Sequence, residues 1–288
     1  MGDVLAGIHA TWQFESDAIV IRFERGIRTP RLFGTLRERR IPHEALASVT
    51  LAPGKRGTVV LHAVPRPGAD PLVEAAAGQL KEGGDPYRLV LPVDREAQAA
   101  YYRDELLARL PRDAAEPTDG FLVAAPEGPQ SFKAYDGKAS FDGSAQVVFR
   151  WSRTGASSEK WRAGDQFFAV RELSGVEWRS PESPDGCLRL LPRGAGAESA
   201  RPPHPDLDPA SVVFGHRYGL VHESLPFAAA VLAAIRGSAR VPAVPGAARP
   251  YDPAGVGERI RHLGELHQAG LVTDEEFSSR KAELLAEL

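Results

Sequence analysis

The chain has 288 residues, and its 35 lysines and arginines nearly balance its 38 aspartates and glutamates. The formal net charge of −3 at pH 7 gives no overall electrostatic attraction to nucleic acid. The single cysteine, Cys187, cannot form a disulfide within the chain, and no stretch approaches the roughly 18 apolar residues of a membrane-spanning helix. Since the N-terminus also lacks a signal-peptide pattern, we expect a cytoplasmic protein with room for two domains.

Residues 7–110 contain short apolar stretches separated by loops rich in glycine and proline, which is typical of the strands of a small sheet. We predict strands at 18–23, 31–33, 47–51, 59–63 and 87–91. A helix is predicted over 95–110, because apolar side chains recur there at helical spacing. Those side chains are Ala99, Tyr102, Leu106, Leu107 and Leu110.

The same pattern recurs after a segment rich in alanine, proline, glycine and acidic residues at 111–131. A constant offset aligns Phe14 with Phe141, Ala18 with Ala145, Leu46 with Leu173, and Val49 with Val176. A second amphipathic helix is predicted over 224–235. Two loops, 64–84 and 192–209, occupy equivalent places, each running up to an Asp-Pro pair. The chain therefore contains an internal duplication.

We predict an α+β fold with two tandem repeats, 7–110 and 132–237, joined by a linker at 111–131. In each repeat several strands precede one helix. This order resembles a pleckstrin-homology-like (PH-like) β-roll, whose C-terminal helix caps one end of a bent sheet sandwich. A generic small β-barrel with a helix is the alternative.

A linker rich in proline and alanine, 238–251, leads to a predicted two-helix hairpin at 252–288. Thr273 caps the second helix, and Glu276 completes a capping box. Burying the apolar side chains of the hairpin yields roughly 10 to 20 kcal/mol, whereas ordering its residues costs on the order of 50 kcal/mol. The hairpin therefore needs a partner surface on its own chain, on a second copy or on another protein. The residues expected to make that contact are Ile260, Leu263, Leu266, Leu271, Phe277, Leu284 and Leu285.

The hairpin resembles the SHOCT (short C-terminal) domain in the run 270–277 together with Leu263, Leu266 and Lys281. This resemblance implies a role in oligomerisation or in the docking of another protein. Nucleic-acid binding, suggested for some such domains, is disfavoured because acidic residues outnumber basic ones in this copy.

The whole chain resembles an actinobacterial family of unknown function that carries a duplicated PH-like domain followed by SHOCT. The resemblance rests on the aligned repeat pairs and on the turn 141–143, where the first repeat has Glu15 and Ser16 in place of an Asp-Gly pair. The family brings no catalytic residues to the chain.

Arginines are concentrated in the first strands and loops of the first repeat. In a PH-like roll this region would bind anionic headgroups, and the candidate residues are Arg25, Arg28, Arg31, Arg39 and Arg40. The second repeat keeps part of this pattern at Arg150, Arg153, Lys160 and Arg162. The alternative is a solvated face whose arginines reflect only the coding bias of a GC-rich genome.

We predict no catalytic residue, no cofactor and no metal. The histidines lack the spacing of metal ligands, and no base near Cys187 is specified by the sequence. We therefore expect a non-enzymatic binding or scaffold protein that assembles through its C-terminal hairpin with itself or with another protein. The alternatives are a peripheral membrane or anionic-ligand sensor that uses the arginine-rich face, and an enzyme with an unrecognised site.

Overall fold

The computed structural model describes residues 3–27, 29–194, 203–215 and 221–240, which belong to one compact unit. The predicted hairpin at 252–288 and residues 241–251 of the predicted linker lie outside the described residues. The first three residues of that linker, 238–240, instead form the end of a helix. Within the described part of the chain, no helix is long and apolar enough to cross a membrane.

In its described part, the first repeat has two antiparallel sheets and three α-helices. The first sheet has, in spatial order, β1 (Asp3–Ala6), β2 (Ala10–Phe14), β3 (Ala18–Phe23) and β4 (Glu38–Pro42). The second sheet has β5 (Leu46–Pro53), β6 (Thr58–Pro65) and β7 (Arg88–Pro92). The helices are α1 (Arg31–Leu36), α2 (Pro71–Ala76) and α3 (Glu96–Arg109).

The second repeat has the same two sheets, of four and three strands. Its first sheet has, in spatial order, β8 (Gln130–Lys133), β9 (Gly137–Phe141), β10 (Gln146–Trp151) and β11 (Gln166–Ala169). Its second sheet has β12 (Leu173–Arg179), β13 (Cys187–Pro192) and β14 (Ser211–Val213), and its helices are α4 (Ser158–Ala163) and α5 (Ser224–Arg240). An α+β fold with two repeated domains is confirmed.

A pair of polar side chains occupies the equivalent position in both repeats. In the first repeat, His62 Nε2 lies 3.1 Å from Asp85 Oδ2, and Asp85 Oδ1 accepts a hydrogen bond from the N–H two residues further on. In the second repeat, Arg189 Nε donates to Asp208 Oδ2 at 2.8 Å, and Asp208 Oδ1 accepts in the same way. The two Asp-Pro pairs are therefore equivalent in structure as well as in sequence.

The predicted strand at 31–33 is wrong, because these residues form the first turn of α1. Leu32 and Phe33 are buried, and Leu36 lies one helical turn beyond Leu32. A short apolar run of this kind does not distinguish a strand from a buried helix. The strand that follows β3 in the sheet is instead β4.

Helix α2 lies inside the predicted loop 64–84 and joins the two repeats. Asp70 caps the helix by accepting a hydrogen bond from the N–H of Leu72 at 2.8 Å, and Pro71 occupies its first turn. Leu72, Ala75 and Ala76 then enter the core of the second repeat, where α2 packs against α5 and β12. The first repeat therefore contributes α2 to the hydrophobic core of the second repeat.

Polar contacts reinforce this junction. Gln79 Nε2 donates to the carbonyl of Trp178 at 2.8 Å, and Gln79 Oε1 accepts from the N–H of Ser180 at 2.9 Å. On α5, Arg236 pairs with Glu74 of α2. Because these hydrogen bonds and this ion pair join the two repeats, they fix the position of one repeat relative to the other.

The segment predicted as the linker 111–131 is packed on the body. Arg66 donates to Asp113 at 2.9 Å and to the carbonyl of Glu116 at 3.0 Å, and Val123 lies in the core of the first repeat. Phe121 packs under the guanidinium of Arg236, and β8 begins within the segment. The segment therefore adds to the contact between the repeats.

The burial of α2 in the core of the second repeat predicts a specific stability effect. We expect Leu72→Ala to lower the free energy of unfolding by about 2 to 5 kcal/mol, because Leu72 is fully buried against the second repeat. Val73→Ala, one residue further along α2 and 37% exposed, should have a much smaller effect. Equilibrium denaturation in urea measures both, and equal losses would contradict the placement of α2.

Candidate functional site

The structure separates the five arginines predicted to form an anion-binding face. Arg25 and Arg31 are exposed, and Arg28 lies outside the described residues. Arg39 and Arg40 are neighbours on β4, where successive side chains point to opposite faces of the sheet. Arg39 is therefore only 6% exposed, whereas Arg40 faces solvent.

Arg39 belongs to a buried network around Asp70. Its Nη2 donates to Asp70 Oδ1 at 2.8 Å, and the hydroxyl of Tyr87 donates to Asp70 Oδ2. Burial, and then the negative charge of Asp70, hold the pKa of Tyr87 well above its usual value, so Tyr87 remains a neutral donor. Arg39 therefore faces the protein interior, and its assignment to an external anion site is corrected to a structural ion pair.

Arg40 is compensated by two carboxylates. Its Nη2 lies 2.7 Å from both carboxylate oxygens of Asp17, and its Nη1 donates to Glu15. The hydrogen bond from Arg40 lowers the pKa of Asp17, so this carboxylate stays ionised at neutral pH. Arg40 therefore contributes no net positive charge to the surface.

A residual basic surface remains at the end of the first sheet. Arg25 and Arg37 line a small cavity of about 270 Å³ beside Phe23 and Phe33, whose ring centroids are 4.6 Å apart. Among the described residues, neither arginine forms an ion pair. Arg25 and Arg37 therefore stay open to an anion at this end of the first sheet.

The second repeat keeps only part of its predicted basic face, because Arg153 and Arg162 are exposed whereas Lys160 and Arg150 lie next to carboxylates. Lys160 is fully buried, and its Nζ donates to Asp136 Oδ2 at 2.6 Å and to the carbonyl of Ser211 at 2.7 Å. Arg150 lies 3.5 Å from Asp165. Lys160 is therefore part of the interior, which corrects its place in a second basic face.

A larger cleft opens where the two repeats meet. It has a volume of about 770 Å³, and both repeats supply its walls. Most of its large side chains are apolar: Leu32, Leu80, Trp178, Val221 and Leu225. Its charged and titratable side chains are Arg31, Lys81, Glu182 and His222. This cleft could not be predicted from local patterns in the sequence, because its walls come from distant parts of the chain.

The buried thiol of Cys187 has the properties of a structural residue. Its side chain is 1% exposed, and burial raises the pKa of the thiol, so it is protonated at neutral pH. Within the described residues, no group of three or more His, Cys, Asp or Glu side chains is arranged to hold a metal ion.

Comparisons with known proteins match two families. The family described as Domain of unknown function (DUF4429) matches residues 12–107 and again residues 139–232. The family described as Short C-terminal domain (SHOCT) matches residues 258–285. No curated protein and no solved structure gives a significant match.

The opposite environments of Arg39 and Arg40 provide a test of the corrected assignment. We expect Arg39→Met to lower the free energy of unfolding by about 3 to 5 kcal/mol, because it leaves Asp70 buried without its charged partner. Arg40→Met should change stability little, since exposed ion pairs contribute little. Urea denaturation compares the two variants, and a similar loss in both would show that Arg39 is not held as described.

Proposed function

This chain belongs to the family described as Domain of unknown function (DUF4429), and we propose that it is a non-enzymatic binding protein. Its two repeats form the binding body, and its short C-terminal domain joins that body to a second copy of the chain or to another protein. We interpret each repeat as PH-like, which is supported by two successive sheets that precede a C-terminal helix.

The observation that carries this proposal is that each C-terminal helix covers a sheet of its own repeat. Helix α3 packs on β5 and β6, with Ala99 and Leu106 buried, and α5 packs on β12 and α2. The apolar residues predicted in the hairpin are therefore not required to complete these faces. Since a hairpin of that size needs a partner surface, the proposal assigns that surface to a second copy or to another protein.

The state of Cys187 supports the non-enzymatic part of the proposal. A buried, protonated thiol is a poor nucleophile, because the thiolate is the reactive form. Asp136 and Lys160, the buried pair in the same repeat, contact each other and backbone groups. These titratable groups are therefore explained by packing and hydrogen bonding without a reaction.

A second candidate function is the recruitment to anionic surfaces. The observation that favours it is the open pair Arg25 and Arg37 beside two aromatic rings. Basic residues near an anionic membrane each contribute about 1 kcal/mol. Two such residues, with Arg28 and Arg31 nearby in sequence, supply weak binding that salt would screen.

The assembly role is tested by the mass of the full-length protein in solution. We expect light scattering to give more than one subunit, and Phe277→Asp to reduce the mass to one subunit, because burying a charge in an apolar contact is costly. Ser279→Asp adds the same charge two residues away and is the control. A single-subunit mass for the unaltered protein would rule out self-association and leave the docking of another protein as the proposed role.

The surface role is tested by sedimentation with vesicles that contain anionic lipid, at low salt. We expect the double change Arg25→Glu and Arg37→Glu to weaken binding by roughly tenfold or more. Lys55→Glu together with Arg56→Glu, at an exposed turn between β5 and β6, changes the net charge equally and is the matched control. Binding that all variants share, or no binding by the unaltered protein, would exclude this second function.

A further inference from the structure

The cleft between the repeats has the size and lining of a small-molecule site. Its volume of about 770 Å³ lies within the usual range for such sites, and its walls are largely apolar. The first repeat supplies Leu32 and Leu80, and the second supplies Trp178 and Leu225. Because the junction at α2 holds these walls together, the cleft is already formed without a ligand.

One side chain in the cleft lacks the partner that a buried polar group normally has. His222 is half-buried, and its Nε2 atom is fully covered without a hydrogen-bond partner among the described residues. Buried side-chain nitrogens are usually hydrogen-bonded. Because Nε2 has no such partner, burial and the charges around the cleft, rather than a hydrogen bond, set the protonation of this ring.

Arg31 lines the same cleft as His222. Burial first, and then the charge of Arg31, lower the pKa of His222. Arg31 forms no ion pair among the described residues. The other two charged lining residues, Lys81 and Glu182, pair with each other. The cleft lining therefore has a positive charge without an ion-pair partner and a titratable imidazole.

We propose that this cleft binds an amphipathic anion. A carboxylate or phosphate head accepts hydrogen bonds from Arg31 and lies near the imidazole of His222, and an apolar tail packs over Leu32, Leu80 and Leu225. The inference goes beyond assembly through the C-terminal domain, because it concerns residues of the body alone. It also differs from recruitment to a surface, since the ligand lies between the repeats.

Anion binding at this site is coupled to the protonation of His222. A bound negative charge favours the imidazolium, opposing the effects of burial and of Arg31. The negative charges of Glu223 and Glu182 already favour a higher pKa of His222, as a bound anion would. Binding should therefore take up a proton and become tighter as the pH falls through the range where the imidazole titrates.

The full-length protein is titrated calorimetrically with decanoate below its micellar concentration, and with decylammonium and acetate as matched probes. We expect decanoate to bind, decylammonium to bind at least roughly tenfold more weakly, and acetate to give no measurable heat. The heat measured in two buffers of different ionisation enthalpy should show proton uptake. No binding of decanoate, or equal binding of decylammonium, would overturn the proposal.

Substitutions then locate the site. Arg31→Met should weaken decanoate binding by roughly tenfold or more, because it removes a charge-assisted hydrogen bond. Arg112→Met, at an exposed arginine that does not line the cleft, is the matched control and should bind normally. His222→Gln should abolish the proton uptake. Equal losses in Arg31→Met and Arg112→Met, or unchanged proton uptake in His222→Gln, would contradict the assignment.

Two further measurements identify the source of the anion and separate this proposal from the assembly role. Sedimentation with anionic vesicles that depends on Arg31 would identify a lipid headgroup, whereas binding of decanoate without sedimentation would identify a free amphipath. The subunit number from light scattering should be the same for Arg31→Met and for the unaltered protein, because the C-terminal domain is unchanged.

Discussion

The carboxylate of Asp70 connects three parts of the first repeat. One oxygen accepts from Arg39 on β4 and from the first turn of α2, and the other accepts from Tyr87 ahead of β7. A charge in this position is stable only because each oxygen is satisfied. The same bonds set where α2 begins, and α2 carries Leu72 into the core of the second repeat. The placement of the repeats, and the cleft between them, therefore depends on this buried network.

The two repeats share a fold but have diverged in chemistry. The pairs His62 with Asp85 and Arg189 with Asp208 keep the same position and geometry. At the third residue of the short helix, however, the first repeat has an aromatic ring that stacks on Phe23, whereas the second has the buried ammonium of Lys160. The same position in the fold therefore accommodates either an apolar contact or an ion pair, and the surfaces around the two short helices differ accordingly.

The duplication, the α+β class and the main helices could be predicted from the sequence, because periodicity and the aligned apolar pairs are local signals. Strand 18–23 coincides with β3, and helix 95–110 differs from α3 by one residue at each end. Helix α2 was missed because six residues are too few for a periodic signal, although Asp70 and Pro71 are typical of a helix start. Because side chains alternate along a strand, Arg39 lies on the same face as Ile41, so its inward position could have been predicted. The cleft could not, because it depends on packing between distant segments.

The packing of α2 in the core of the second repeat also bears on how such a duplicated chain arises. A first repeat by itself would expose Leu72, Ala75 and Ala76 to water, so it would need a second molecule to cover them. Joining two copies in one chain turns that encounter into an intramolecular one, at an effective concentration set by the connecting segment. In a covalent tandem repeat, the burial of α2 thus no longer depends on protein concentration. Because α2 is part of the core of the second repeat, deletion of either repeat would expose apolar side chains of the other.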